Sequence, residues 1–311
     1  MTTLLTTLAE ARPTTTELDR MWEPDRRAEL LERLRTGDVR RPRAHPRALR
    51  LLAVAAAVAL AVPIGHEVLA PDAAQARADL RALAAVAADS GGPVLAPGQF
   101  LHVRTESLQD NRWPLQDGAD WDTDRESWIG WDGTTWAIDS RPSAGWREYL
   151  FLPLEEDASI NRPTPAFAAT LPQDPTAFRA YLDEHVSGSN SHEEALFVAV
   201  TDFIRSNVVP PSVLGAALGA LADVRGVRTE DVTVDGRDAV KISYRRFGVA
   251  FLSDHTLVVD RATARPLVEA SSNPIESYES TTTSVEVVDQ VPADVLAVFT
   301  DNPQGVRIPA A

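Results

Sequence analysis

Six of the seven tryptophans, Trp113, Trp121, Trp128, Trp131, Trp136 and Trp146, fall within 34 residues of one another. Indoles at that density either pack a core or line a groove that grips a ligand through flat apolar surface. Trp128, Trp131 and Trp136 are the candidate ligand-binding residues. Trp128 and Trp136 are expected to share one face of a hairpin, with Trp131 beside its turn. Asp120, Asp122 and Asp124 have the first three spacings of a calcium loop. Arg125 stands where such a loop needs glycine and Trp131 where it needs glutamate, so a solvated acidic loop is the better reading. His185 and His192, beside Glu193 and Glu194, lack any His-x-x-x-His or His-Glu-x-x-His spacing, and a helix cap with first-turn acids accounts for them.

The chain carries no Gly-x-Ser-x-Gly elbow, phosphate loop or dinucleotide fingerprint. No catalytic residue, metal site or cofactor is therefore assigned, and the expectation is a protein without enzymatic activity. Cysteine is absent, which removes disulfides, thiolate metal sites and a lipid-bearing cysteine.

The elements that must position these residues can be read from pattern. Arg77 to Asp89 reads as a helix with Leu80, Leu83, Ala84 and Ala87 on one side. Strand signals begin at Gln99. Ser127–Trp131 and Thr134–Ile138 flank Asp132-Gly133, a hairpin signal that predicts a type I′ turn. Trp146–Leu152 extends the sheet. Asp174-Pro175, then Ser191 with Glu194, then Pro210-Pro211 open three helices. Val227–Val234 and Ala239–Tyr244 flank Asp235-Gly236, a second hairpin. Leu257–Val259 and Pro266–Val268 are further strands. Tyr278–Val288, rich in Thr, Ser and Val, is expected to be an exposed, edge-like strand, and Pro292–Phe299 a short closing helix. Strands, then helices, then strands indicate an α+β domain with an antiparallel sheet.

Ahead of that domain, Leu51 to Gly65 is fifteen residues without a charge, and Arg40, Arg41, Arg43, Arg47 and Arg50 precede it. An apolar helix with a basic flank sits in a membrane with that flank in the cytoplasm. Fifteen residues reach only about 22 Å. Ala48 and Leu49, a snorkelling Arg50, and Val68–Ala70 lengthen the segment. Two other readings compete: a signal peptide cleaved after Ala74-Gln75-Ala76, and a buried helix of a soluble protein. The expected organisation is a cytoplasmic segment over 1–47, a transmembrane helix over 48–70, a helical linker over 71–97, an extracytoplasmic α+β domain over 98–300 and a disordered tail over 301–311. Within residues 1–47, two short leucine stripes are too small for a core and suit a cytoplasmic protein partner.

Residues 1–50 hold 11 Arg against 8 acids, a net of +3, whereas residues 51–311 hold 19 basic against 37 acidic residues, a net of −18. So acidic an outer part argues against nucleic acid, which needs phosphate-neutralising cations. One Lys against 29 Arg, with abundant Ala, suggests a GC-rich bacterial genome.

Several stretches in order, WIGWDG (128–133), Leu171-Pro172 with Asp174-Pro175, PPSVLGAALGALADVRGV (210–227), Asp235-Gly236-Arg237 and TLVVDRATARPL (256–267), resemble a family of uncharacterised actinobacterial single-pass membrane proteins. The Val-Val-Asp-x-x-Thr-x-x-Pro-Leu pattern also resembles the final sheet of LolA- and RseB-type domains. That likeness implies an antiparallel sheet curved around helices, and a lipid, lipoprotein or polypeptide ligand. The leading expectation is a membrane-anchored sensor or regulator, and the alternative a LolA-like lipid or lipoprotein carrier or scaffold. A groove on the curved sheet favours the carrier, a filled core favours regulation, and convergent titratable groups in a cleft favour an enzyme. Protease applied to actinobacterial spheroplasts carrying the full chain, tagged at both ends, is expected to spare the N-terminal tag and digest the C-terminal one. Release of a fragment starting near Arg77 would mean export of a soluble domain instead.

Overall fold

The computed structural model describes residues 71–111, 121–153, 157–188, 190–247, 252–274 and 276–309. All of them belong to the second of two compact units, Gly65–Ala311. The segment expected to be cytoplasmic, its arginine cluster, the expected span over 48–70, Trp113 and Asp120 lie outside the described residues. Among the described residues no helix is long and apolar enough to cross a membrane.

The domain is α+β, built on one curved antiparallel sheet of ten strands. In chain order these are β1 (Phe100–Asn111), β2 (Trp121–Gly130), β3 (Thr135–Arg141), β4 (Trp146–Leu152), β5 (Arg228–Val234), β6 (Arg237–Phe247), β7 (Leu252–Asp260), β8 (Pro266–Ser272), β9 (Glu276–Val288) and β10 (Val306–Pro309). Their order across the sheet is β10-β4-β3-β2-β1-β9-β8-β7-β6-β5. Two up-and-down meanders, β1–β4 and β5–β9, are thus joined side by side through β1 and β9.

The helices are α1 (Pro71–Asp89), α2 (Pro165–Ala168), α3 (Pro175–His185), α4 (His192–Arg205), α5 (Pro211–Leu221) and α6 (Ala293–Asp301). α1 is not the linker expected over 71–97. Ala76, Leu80, Leu83 and Ala87 recur at helical spacing and are buried, so the helix is part of the core. Asp174 caps α3 by accepting from Ala177 N at 2.9 Å, and Ser191 caps α4 by accepting from Glu194 N at 3.1 Å. α5 is apolar all round because it is surrounded. Its glycines permit this: a Cβ at Gly215 would lie 2.8 Å from Ala84 O, and one at Gly219 would lie 2.7 Å from the Pro175 ring. Phe178, Phe197, Phe203, Leu214 and Leu218 fill the space between these helices and the β5–β7 end of the sheet, where Val240, Ile242, Leu257 and Val259 face them.

The two Asp-Gly hairpins close differently. At Asp235-Gly236 both residues have positive φ, 49° and 78°, and Val234 pairs with Arg237, as a two-residue type I′ turn requires. At Asp132-Gly133 only the glycine has positive φ. There Gly133 N donates to Gly130 O and Gly130 N to Thr134 O, which makes a three-residue loop with a type I turn rather than the expected I′. Trp131 adds the extra residue.

Two expectations are corrected by pairing. Tyr278–Val288 is no edge: β9, 13 residues long, lies between β8 and β1. Its polarity has another cause, given below. The tail beyond residue 300 is not structureless: Val306–Pro309 pairs with β4 as β10. Where β9 meets β1, Arg104 pairs with Ser284 and Thr105 with Thr282, so Thr283 is an extra residue in a β-bulge.

Phe203→Ala in the full chain is expected to cost about 3–5 kcal/mol of unfolding free energy by denaturant titration. Leu152→Ala, at an exposed position, should stay within about 0.5 kcal/mol. Equal costs would mean that the helical layer is not the core.

Candidate functional site

The helical layer packs on the β5–β7 end of the sheet. On the same face, β1, β2, β3 and β9 floor a groove of about 450 Å³, closed at one side by the end of α4. Its lining follows from strand alternation, which sends every second residue inward. Cross-strand rows make the floor: Asp139, Arg125, Thr105 and Thr282 form one row, and Thr123, Ser107, Ser280 and Glu269 the next. Ser107 Oγ donates to Ser280 Oγ at 2.9 Å. The floor changes along the strands. Val103 and Ile129 lie at the inner end, hydroxyls follow, and Gln109, Trp121 and Tyr278 stand at the outer end with Arg141 beside them on β3, while Leu257 continues the Ser107–Ser280–Glu269 row towards β7. The bulge at Thr283 sustains this pattern, because it puts Tyr278, Ser280 and Thr282 on the face that Val285 and Val287 occupy further along.

Three arginines line the groove. Arg125 holds Asp139 in a two-pronged pair, Nε to Oδ1 at 2.6 Å and Nη2 to Oδ2 at 2.7 Å. The hydrogen bond to Asp139 holds the Arg125 pKa above its ordinary value. Arg205, the last residue of α4, donates to Glu269 at 3.1 Å and to Asp202 at 3.0 Å. Burial pushes the Glu269 carboxyl up, and Arg205 opposes that shift. Arg141 is held by rings. Its guanidinium carbon lies 4.2 Å from the Trp121 ring centre and 4.9 Å from that of Trp146, an arrangement in which the cation faces aromatic π-surface.

Asn207 sits where the groove meets a smaller cavity of about 50 Å³. It ends α4 in the left-handed region, φ 62°, a conformation that asparagine tolerates better than most residues. Its side chain is 4% exposed, and its Nδ2 donates to Arg205 O at 3.1 Å. Its Oδ1 is buried and has no partner among the described residues. A buried acceptor in that state is costly unless water or a ligand fills it.

The structure separates the three candidate tryptophans from the groove. Trp128 and Trp136 are cross-strand partners on the outer face. There Trp128, 3% exposed, packs with Val291 and Val295 under α6, and Phe100, Trp136, Ile138 and Phe299 surround them. Trp128 also stacks on His102, with ring centres 5.0 Å apart. Trp131, in the turn, borders the smaller cavity, and its backbone oxygen accepts from Ala166 N. Of the six clustered tryptophans, Trp121 reaches the groove and Trp146 supports Arg141 behind it. Asp122 and Asp124 lie on a strand, not in a loop, and Asp122 accepts from Ser143. His192 bonds Asp183 at 2.8 Å, away from the groove.

Thr105, Ser107, Thr123, Ser280 and Thr282 were not singled out by motif. Their signal is alternation: β1 and β9 stay polar at every second position on a face that a plain core strand would fill with aliphatics. Arg125→Ala and Asp139→Ala are each expected to destabilise the chain. Their double-mutant coupling should be about 1 kcal/mol, modest because Arg125 is half exposed. Strictly additive losses in denaturant midpoint would show that the pair stabilises nothing.

No family model matches the chain, and no curated protein matches it. Solved structures with similar folds include LprF from Mycobacterium bovis, at 11% identity and a TM-score of 0.31, covering 71% of this chain and 98% of that one. Mycobacterium tuberculosis lipoprotein LppX has 9% identity and a TM-score of 0.28, covering 71% and 99%. A putative outer membrane lipoprotein-sorting protein domain from Vibrio parahaemolyticus has 11% identity and a TM-score of 0.25, covering 74% and 99%. Likenesses this distant carry no argument about ligand or activity.

Proposed function

We propose that the chain is a membrane-anchored, extracytoplasmic binding protein without catalytic activity, and that its groove takes an amphiphile of the lipid or lipid-bearing polypeptide class. The groove's graded lining carries this reading. Aliphatic side chains at the inner end suit the start of an acyl chain, and the hydroxyl floor and outer Trp, Tyr and Arg suit a polar headgroup. Its volume of about 450 Å³ falls within the roughly 300–1,000 Å³ common to small-ligand sites. The two groove carboxylates, Asp139 and Glu269, are each committed to an arginine, which disfavours a role as a base. Anchoring and orientation rest on the apolar run and its arginine flank. A regulatory role through residues 1–47 has support from the sequence pattern alone.

The test is photolabelling of the full chain, held in phosphatidylcholine nanodiscs, with a diazirine-bearing alkyl glucoside. Labelled peptides are expected from β1, β2 and β9, and Ser280→Trp, which fills the floor, should lower labelling at least about fivefold. Labelling centred on Trp128, Trp136 and α6, or insensitive to Ser280→Trp, would move the site to the outer face and reject the groove.

A further inference from the structure

We infer that the outer end of the groove is an anion subsite, in which Arg141 receives the phosphate, or a like oxyanion, of the bound molecule's headgroup. This rests on the groove being the binding site and adds the charge of its ligand. The three groove arginines are not equivalent. Arg125 is neutralised by Asp139, and Arg205 by Glu269 and Asp202. Arg307, on the far side of Trp146 with its guanidinium carbon 4.2 Å from that ring's centre, is neutralised by Glu148 at 2.8 Å. Arg141 has indole on either side and, among the described residues, no carboxylate. Its Nε is buried without a hydrogen-bond partner.

An unpaired guanidinium is unexpected here. Residues 51–311 carry a net charge of −18, so carboxylates are abundant, yet none among the described residues closes on this side chain. Aromatic stacking fixes the plane of a guanidinium without cancelling its charge or using its N–H groups. The fixed fork matches phosphate and carboxylate oxygens. Trp121, 43% exposed, flanks it with surface on which a headgroup can rest, and Tyr278 lines the same groove across β2 and β1. Arg141 stands towards the end of the groove remote from Val103 and Ile129, so an anion there leaves the inner end for the apolar part of the same molecule.

Two photoreactive probes of equal chain length, an alkyl phosphate and an alkyl glucoside, separate this inference from the reading beneath it. In the full chain in phosphatidylcholine nanodiscs, the phosphate probe should half-saturate groove labelling at a concentration about tenfold below the glucoside, since hydrogen bonds to charged groups are worth that much or more. Arg141→Gln should bring the two probes to parity, chiefly by raising the concentration at which the phosphate probe half-saturates. Arg141→Lys, which keeps the charge but not the planar fork, should retain part of the preference. Competition by millimolar inorganic phosphate would assign the subsite to a free anion, and its failure to compete would assign it to a headgroup; either upholds the anion site. Glucoside labelling with no phosphate preference, or a preference that survives both substitutions, overturns the inference and leaves the groove intact. Absence of labelling by both probes rejects the groove and the subsite together.

Discussion

The pairing of β1 with β9 is the interaction on which the remainder depends. It joins two meanders whose strands are otherwise local neighbours, and it runs the length of β1, from Phe100 opposite Val288 to Asn111 opposite Glu276. Bringing those strands together closes a loop of more than 160 residues, a large but slowly growing entropic cost. The helical layer offsets it. α1, α3, α4 and α5 bury their apolar faces on one another and on the β5–β7 end, so the second meander carries its own core. Among the described residues no such layer covers the inner face of the first meander, and the groove lies there.

That division explains the chemistry of the floor. A sheet face packed by helices is aliphatic, as Val240, Ile242, Leu257 and Val259 show. A face left to water or to a ligand must satisfy its polar groups in other ways. In β1 and β9 it does so with short hydroxyls that bond one another across the strands, Ser107 to Ser280 for instance. Long charged side chains enter only in neutralised pairs or, for Arg141, between rings. On the outer face the balance is reversed: α6 covers Trp128 and its neighbours, and the terminal β10 holds the far edge.

Much of the scaffold was legible from local signals. Caps at Asp174 and Ser191, the Pro210-Pro211 break and both Asp-Gly turns fell where residue chemistry put them, because each is decided within a few residues. What failed was non-local. β9 reads as an edge strand because Thr and Ser are polar, and only its place against β1 and β8 reveals a polar floor inside the sheet. Alternation put Trp128 and Trp136 together, and they lie on the face opposite the groove, because the sequence does not say which side α6 covers. Asn207 and Arg141 could not be found by motif, since each stands out for one buried atom, Oδ1 and Nε, that has no hydrogen-bond partner among the described residues.

Thr283 has a consequence out of proportion to its size. Side chains on a strand alternate, so an odd residue inserted in β9 works as a frameshift of its outward pattern. Upstream of the bulge, Tyr278, Ser280 and Thr282 face in because Thr283 is left out of the ladder; drawing Thr283 into regular pairing opposite Thr105 would turn Thr281 and Glu279 inward in their place. A carboxylate would then stand on the floor opposite Gln109. Excising Thr283 instead leaves Thr282 opposite Thr105 and Ser284 opposite Arg104, so the same side chains stay inward. In evolutionary terms the groove can lose this one residue and keep its polarity, whereas an insertion or deletion that no bulge absorbs would exchange the two faces of the strand.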